Sequence, residues 1–240
     1  MLQDLHSHTY YSHCGKDDPA TIIEAAIAGG ISQVGFSDHN YGVAVKRPND
    51  FRNEKPGDPY RDYFDYISLL KNEYQDRITI LRGIEVRTWK NGQELPDDVD
   101  LSYYDYALIE CLAFDDSVTG GDLFGYAKHL GCRCGIAHTD MFVFIEKIGA
   151  DPEAFFRKMA EEKIFWEMNV NYDSIHGWQE HAYVKRFFES KEQQDIVRAA
   201  GVEISVGFDG HRIEDYLPER VKSYCRKLTA LGIRMPFEEI

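Results

Sequence analysis

The chain has 240 residues and 43% hydrophobic content, enough for one sizeable core, and no apolar run approaches the roughly 20 residues that span a bilayer. Its net charge of -14, from 41 acidic and 27 basic residues, argues against binding long nucleic acid or an anionic membrane, yet admits a small anionic substrate where metal ions reverse the sign locally. Five cysteines, an odd number outside a small secreted domain, point to reduced thiols. The chain opens on what reads as a strand instead of a basic-then-apolar leader. A soluble cytoplasmic protein is expected.

Residues 2–8 read as a strand, and on a strand His6 and His8 share a face. Residues 19–30 read as a helix, with Asp18 as N-cap, Pro19 in the first turn and Gly29-Gly30 at the end. A short strand at 33–37 runs into Asp38-His39-Asn40, and a polar loop is expected from about 41 to 58. Residues 61–74 carry apolar side chains at helical spacing, and 78–86 and 104–112 read as strands. A helix at 122–130, stopped by Gly131, precedes a strand at 132–137, which ends in His138-Thr139-Asp140. Cys132 and Cys134 form C-x-C and read as strand residues. A helix at 152–162, a strand at 164–171, a helix at 180–200 broken near Ser190, a strand at 202–207 and a closing helix at 220–231 complete the pattern.

Strand–helix alternation means parallel strands with crossover helices. Seven such units predict an α/β fold, a barrel formed by one domain over residues 1–240. Its active site is expected at the C-terminal rim of the strands. The chemistry-bearing residues fall there. His6 and His8 lie on the first strand with His13 in the loop beyond, His39 ends the second, Glu85 the third, His138 the fifth, and Asp209 and His211 the seventh. Six of the nine histidines lie on these ends or just past them. Taken singly, each has an ordinary surface, capping or turn role. Taken together, imidazoles and carboxylates converging on one rim need a cation to hold them. Such donors suit zinc, manganese or iron, and their number implies two or three divalent ions. A bridging Glu85 or Asp209 would hold two ions about 3.5–4 Å apart, a spacing suited to displacement at phosphorus.

The set His6-x-His8, His13, Asp38-His39, Gly83-Ile84-Glu85, His138-x-Asp140 and Asp209-x-His211 resembles the PHP (polymerase and histidinol phosphatase) superfamily from end to end. The detail is most similar to the histidinol-phosphatase branch, through Gly35-Phe36-Ser37-Asp38-His39, Leu81-Arg82-Gly83-Ile84-Glu85-Val86 and Asp209-Gly210-His211-Arg212. The resemblance implies a distorted (β/α)7 TIM-like barrel with a di- or trinuclear metal site at its rim. Where the family carries a fourth-strand histidine this chain has Leu112, which cannot ligate. Glu110, two residues earlier on the same face, either supplies an oxygen in its place or is only a neighbour.

The expected activity is hydrolysis of a small phosphomonoester, with L-histidinol phosphate as the substrate the resemblance implies. A water whose pKa the cations lower from about 15.7 towards 7 would attack phosphorus in line. Asp209 and His211 are the expected catalytic pair, with Arg87 and Arg212 as candidates for the phosphate. Lys46 and Arg47 could close over the substrate, and Asn169 and Asn171 could orient it. His129, His176 and His181 fall outside the motifs, although His176 could line the rim. Two other readings stay open: a phosphodiesterase or nucleotidase acting on nucleic-acid fragments, and a non-catalytic metal-binding module.

Overall fold

The computed structural model describes residues 1–45 and 58–239. Seven strands, β1 (Gln3–Asp4), β2 (Gln33–Phe36), β3 (Thr79–Arg87), β4 (Tyr106–Glu110), β5 (Cys134–Ile136), β6 (Phe165–Asn169) and β7 (Ile204–Gly207), follow one another in sequence order, and every neighbouring pair is parallel. β1 also bonds β7, through Leu5 N–H to Val206 O (2.9 Å) and His8 N–H to Gly210 O (2.8 Å). The sheet thus curls almost closed onto its own first strand. This is the barrel that the alternation of elements predicts, in the distorted (β/α)7 form that the family resemblance implies.

Helices α1 (Pro19–Ala28), α2 (Asn40–Val45), α3 (Pro59–Glu73), α4 (Leu123–Leu130), α5 (Met141–Lys147), α6 (Pro152–Glu161), α7 (Ala182–Glu189), α8 (Lys191–Ala200) and α9 (Pro218–Ala230) form the outer layer among the described residues. Their starts follow from capping chemistry. The carboxylates of Asp18, Asp58 and Asp151 accept backbone N–H groups just ahead of a first-turn proline. Ser190 both ends α7 and caps α8, so the expected 180–200 helix is two helices. α2 and α5 were not expected. α2 is only six residues long and includes Gly42 and two valines, weak helix formers, so packing of Asn40 and Val43 holds it. α5 has a legible start, because Asp140 accepts Val143 N–H (3.2 Å). No described helix is long and apolar enough to cross a membrane.

The outward faces of the strands and the inner faces of the helices make the main core, with Trp166 packed on Phe156, Phe187 and Tyr183. The barrel interior holds a separate cluster of Leu5, Leu81, Tyr106, Leu108, Ala137 and Phe165, with Phe237 added after α9. Glycine makes room for these rings. A Cβ on Gly83 would lie 2.2 Å from the Tyr106 ring, and one on Gly135 would lie 2.1 Å from Phe165. The Tyr106 hydroxyl donates to Leu5 O (2.7 Å), so the polar tip of the plug is satisfied.

β1 is much shorter than the expected 2–8 strand. Asp209, at φ 58, and Gly210 both direct their N–H groups at His6 O (2.7 and 3.3 Å), two residues against one. That bulge-like irregularity interrupts regular pairing. Leu5 packs inside the barrel, and His6 and His8 both face the mouth above it.

Candidate metal centre

Above the aromatic plug the interior changes from apolar to ionisable. β3 runs inward through Leu81, Gly83 and Glu85, β4 through Tyr106, Leu108 and Glu110, and β6 through Phe165, Glu167 and Asn169. Strict period-two alternation therefore places Glu85, Glu110 and Glu167 at the C-terminal mouth. The residues that follow three strand ends have left-handed backbones: Cys111 (φ 61) after β4, His138 (φ 26) after β5 and Asp209 (φ 58) after β7. Non-glycine residues adopt this conformation rarely, and the strain marks the rim as constrained.

His6 Nε2 and His8 Nε2 lie 3.0 Å apart. His6 Nε2 is 3.4 Å from Glu85 Oε1 and 3.4 Å from Asp209 Oδ1, and His8 Nε2 is 3.0 Å from Asp209 Oδ1. Both rings have their other nitrogen engaged. Glu167 Oε1 accepts from His6 Nδ1 (2.7 Å). The Ser12 hydroxyl donates to Asp38 Oδ1 (2.7 Å) and so offers its lone pair to His8 Nδ1 (3.1 Å). In the neutral form of each imidazole, the form a cation would bind, the Nε2 lone pair faces the centre. Asp38 sits beneath as an anchor, also accepting Thr9 N–H (2.7 Å), Ser12 N–H (2.9 Å) and the Tyr63 hydroxyl (3.0 Å).

On the other side, His138 Nε2 is 3.0 Å from Glu85 Oε1, while its backbone N–H donates to Glu167 Oε2 (2.8 Å). His39 Nδ1 lies 2.7 Å from Glu85 Oε2 and 3.3 Å from Glu110 Oε1. Glu85, Glu110, Glu167 and Asp209 are 0%, 4%, 1% and 5% exposed. Four carboxylates so buried demand compensating positive charge. Burial disfavours charge on His6, yet Glu167, Asp209 and Glu85 hold its pKa well above the ordinary imidazole value. Burial likewise works against ionised Glu85 and Asp209, but the imidazoles pull both well below the usual carboxylate range. His138, also opposed by burial, rises to about 9 through Glu85. His211 is pushed down to about 3 by burial and by His8.

The donor set fits divalent transition metals. Three overlapping groups, His6/His8/Glu85, His6/His138/Asp209 and His39/Glu85/Glu110, each bring their ligand atoms within 4.8 Å of one another. Glu85 Oε2 and His39 Nδ1 are buried 2.7 Å from one another, yet neither makes a hydrogen bond of good geometry among the described residues, as atoms that share a cation would not. A carboxylate on the far nitrogen of His6 is the usual means of orienting a metal-binding imidazole.

His6, His8, His39, Glu85, Glu110, His138, Asp209 and His211 all enter these or neighbouring donor groups. His13 is exposed, with its ring 5.8 Å from that of His39, and enters none of the groups among the described residues. Leu112 is buried in the outer core, whereas Glu110 reaches His39. The fourth-strand position facing the mouth is therefore occupied by a carboxylate. Arg87 is engaged by Glu110 (2.9 Å) and Gln93 (2.5 Å) and lies over the Tyr41 ring. Arg212 lines a small cavity with Ser7, Asp17 and Tyr216. Asn169 donates to Asp209 Oδ2 (3.1 Å), and Asn171 contacts His181 (3.2 Å). His176 does line the rim, with Nδ1 on Asp173 (2.7 Å) and Nε2 3.6 Å from Asp209. His129 is exposed on α4. Lys46 and Arg47 lie outside the described residues.

Sequence reasoning missed Glu167, although its signal was available: it shares strand parity with Asn169 and Asn171. It also passed over Cys14, which lies in a donor group with His8 and His211 and whose only sequence signal is that it follows His13.

The family model of the PHP domain matches residues 4–212. This chain belongs to the PHP family. No curated protein sequence matches it. Among solved structures, the PHP chain is similar to the histidinol phosphate phosphatase of Lactococcus lactis subsp. lactis, complexed with zinc, L-histidinol and phosphate. The two are 15% identical over 98% of this chain and 95% of that one, with a TM-score of 0.59. A candidate histidinol phosphatase from Listeria monocytogenes is 14% identical over 89% of this chain and 96% of its own, with a TM-score of 0.51. At such identities the likeness establishes a shared fold.

Proposed function

We propose that this PHP protein is a metal-dependent phosphomonoesterase acting on a small substrate, with L-histidinol phosphate the first to test. The observation that carries the reading is the convergence of His6 Nε2 and His8 Nε2 at 3.0 Å, beside Glu85 and Asp209, at the mouth of the barrel. The proposed metal ligands are His6, His8, Glu85, His138 and Asp209, with His39 and Glu110 beside them. These side chains would hold divalent cations, which when bound would bring the pKa of a water towards neutrality and offset the charge on phosphoryl oxygens.

The chain's own residues do the positioning. Glu167 fixes His6 in the tautomer that presents Nε2, and Ser12 with Asp38 does the same for His8. Asn169 holds the outer oxygen of Asp209. Arg87 is already paired with Glu110, so in this reading it steadies that carboxylate and does not clamp phosphate. Substrate recognition by histidinol phosphate's imidazole and amine rests on the resemblance and on the named ligands of the Lactococcus lactis protein.

Elemental analysis of the purified protein, followed by phosphate release from a panel of phosphomonoesters and dinucleotides, tests the proposal. Bound transition metal with chelator-sensitive hydrolysis of monoesters is expected. Full activity in metal-free protein would refute it.

A further inference from the structure

Cys14 follows His13 in the loop beyond β1, and it is the cysteine that turns inward. His13 is exposed, whereas Cys14 Sγ lies with the ligand nitrogens of His8 and His211 in a group whose atoms are all within 4.8 Å. The thiol also lies beside His39. Gly15 makes the turn possible: a Cβ there would lie 2.1 Å from Thr9 O, so the loop folds back on the backbone that follows His8. All five cysteines are free. His211 is 6% exposed and stacks on His8 at 4.5 Å between ring centroids; its buried Nδ1 makes no hydrogen bond among the described residues, lies 4.0 Å from Asp173 Oδ2, and the ring also enters a donor group with Asp173 and His176.

His8 borders both this outer position and the inner one. With Nδ1 engaged by Ser12 it has one lone pair, and the inner pairing with His6 claims it. Cys14 and His211 are then the two donors proper to the outer edge. Resting on the metal-dependent reading above, we infer that Cys14 is a thiolate ligand, partnered by His211, to a divalent cation at the outer edge of the cluster. The thiol proton leaves to solvent as the S–metal bond forms. A sulfur donor biases this position toward zinc and away from manganese or magnesium.

Cobalt substitution reads the sulfur directly, through the thiolate-to-metal charge-transfer band in the near ultraviolet. Cobalt-loaded protein should show the band. Cys14→Ser and Cys14→His should abolish it, whereas His13→Ala and Cys111→Ser should keep it. Cys111 is the necessary control because its Sγ lies 3.5 Å from Glu110. Cys14→Ser should bind one ion fewer, and Cys14→His should restore the count without the band. Circular dichroism establishes that each variant is folded. Cobalt bound without the band, or a band that survives Cys14→Ser, overturns the assignment and leaves the phosphatase reading intact if phosphate is still released. A folded protein that binds no cobalt and loses no activity on chelation overturns both.

Discussion

Glu167 offers the most searching perturbation, because it touches the proposed ligands without being one. Its Oε1 accepts from His6 Nδ1 (2.7 Å) and its Oε2 accepts from the His138 backbone N–H (2.8 Å), at 1% exposure. Both contacts require an acceptor. In Glu167→Gln the side chain has one acceptor oxygen and one NH2, so whichever way the amide turns, one of the two donors meets another donor. If the oxygen stays on His6, the 138 backbone loses its partner; if it stays on His138, His6 loses the group that fixes its tautomer. Removing such an orienting partner costs about 10- to 100-fold in metal affinity or activity, which corresponds to roughly 1.4–2.7 kcal/mol. Metal affinity measured by competition with a chromophoric chelator should fall by that factor. Steady-state kcat at limiting metal should fall with it and recover in excess metal, and Glu167→Ala should be worse. Wild-type affinity in a folded Glu167→Gln protein would refute the argument that Glu167 orients His6 for a cation.

Tyr106→Phe removes the hydroxyl that serves Leu5 O inside the barrel, which should cost about 1 kcal/mol. It should lower Tm by roughly 2–4 °C and leave hydrolysis intact; a large loss of activity would mean that the plug couples to the mouth. Leu112→His, which introduces the family's fourth-strand residue, should destabilise by about 3 kcal/mol without adding a bound ion, because Leu112 packs in the outer core. An extra equivalent of metal in that variant would contradict the placement of Glu110 at the mouth. Burial works against ionised Asp105, but hydrogen bonds from Arg82 and the nearby Lys71 hold its pKa below the ordinary 3.8. A carboxylate depressed in the folded state stabilises fully above its unfolded pKa, and that stability is lost as pH falls through the folded value. Urea unfolding should therefore show a gap between wild type and Asp105→Asn that is constant near neutrality and closes on acidification; a gap that widens in acid would reverse the sign.

The legible part of the site was the part set by topology. Parallel strands in a barrel bring all their C-terminal ends to one rim, so residues spread from His6 to His211 could be gathered without coordinates. Glu85 and Glu110 followed from strand parity, and so would Glu167 have done. What escaped was decided by tertiary contact. Whether His13 or Cys14 turns inward depends on how the Gly15 loop folds back against Thr9, and neither residue type announces it. Arg87 has the right parity for a phosphate clamp, but its partner Glu110 comes from the next strand, 23 residues away. The shortness of β1 arises from the irregularity opposite Asp209 and Gly210, a pairing between the two ends of the chain. α2 has weak intrinsic propensity and exists through packing.

The central claim is that the mouth of this barrel holds divalent metal between its histidines and carboxylates. Anomalous scattering from crystals of the protein as purified, collected on either side of the zinc, iron and manganese absorption edges, tests it most directly. The account predicts peaks bounded by His6, His8, Glu85, His138 and Asp209. Hydrolytically active crystals with no anomalous peak among those side chains would contradict it.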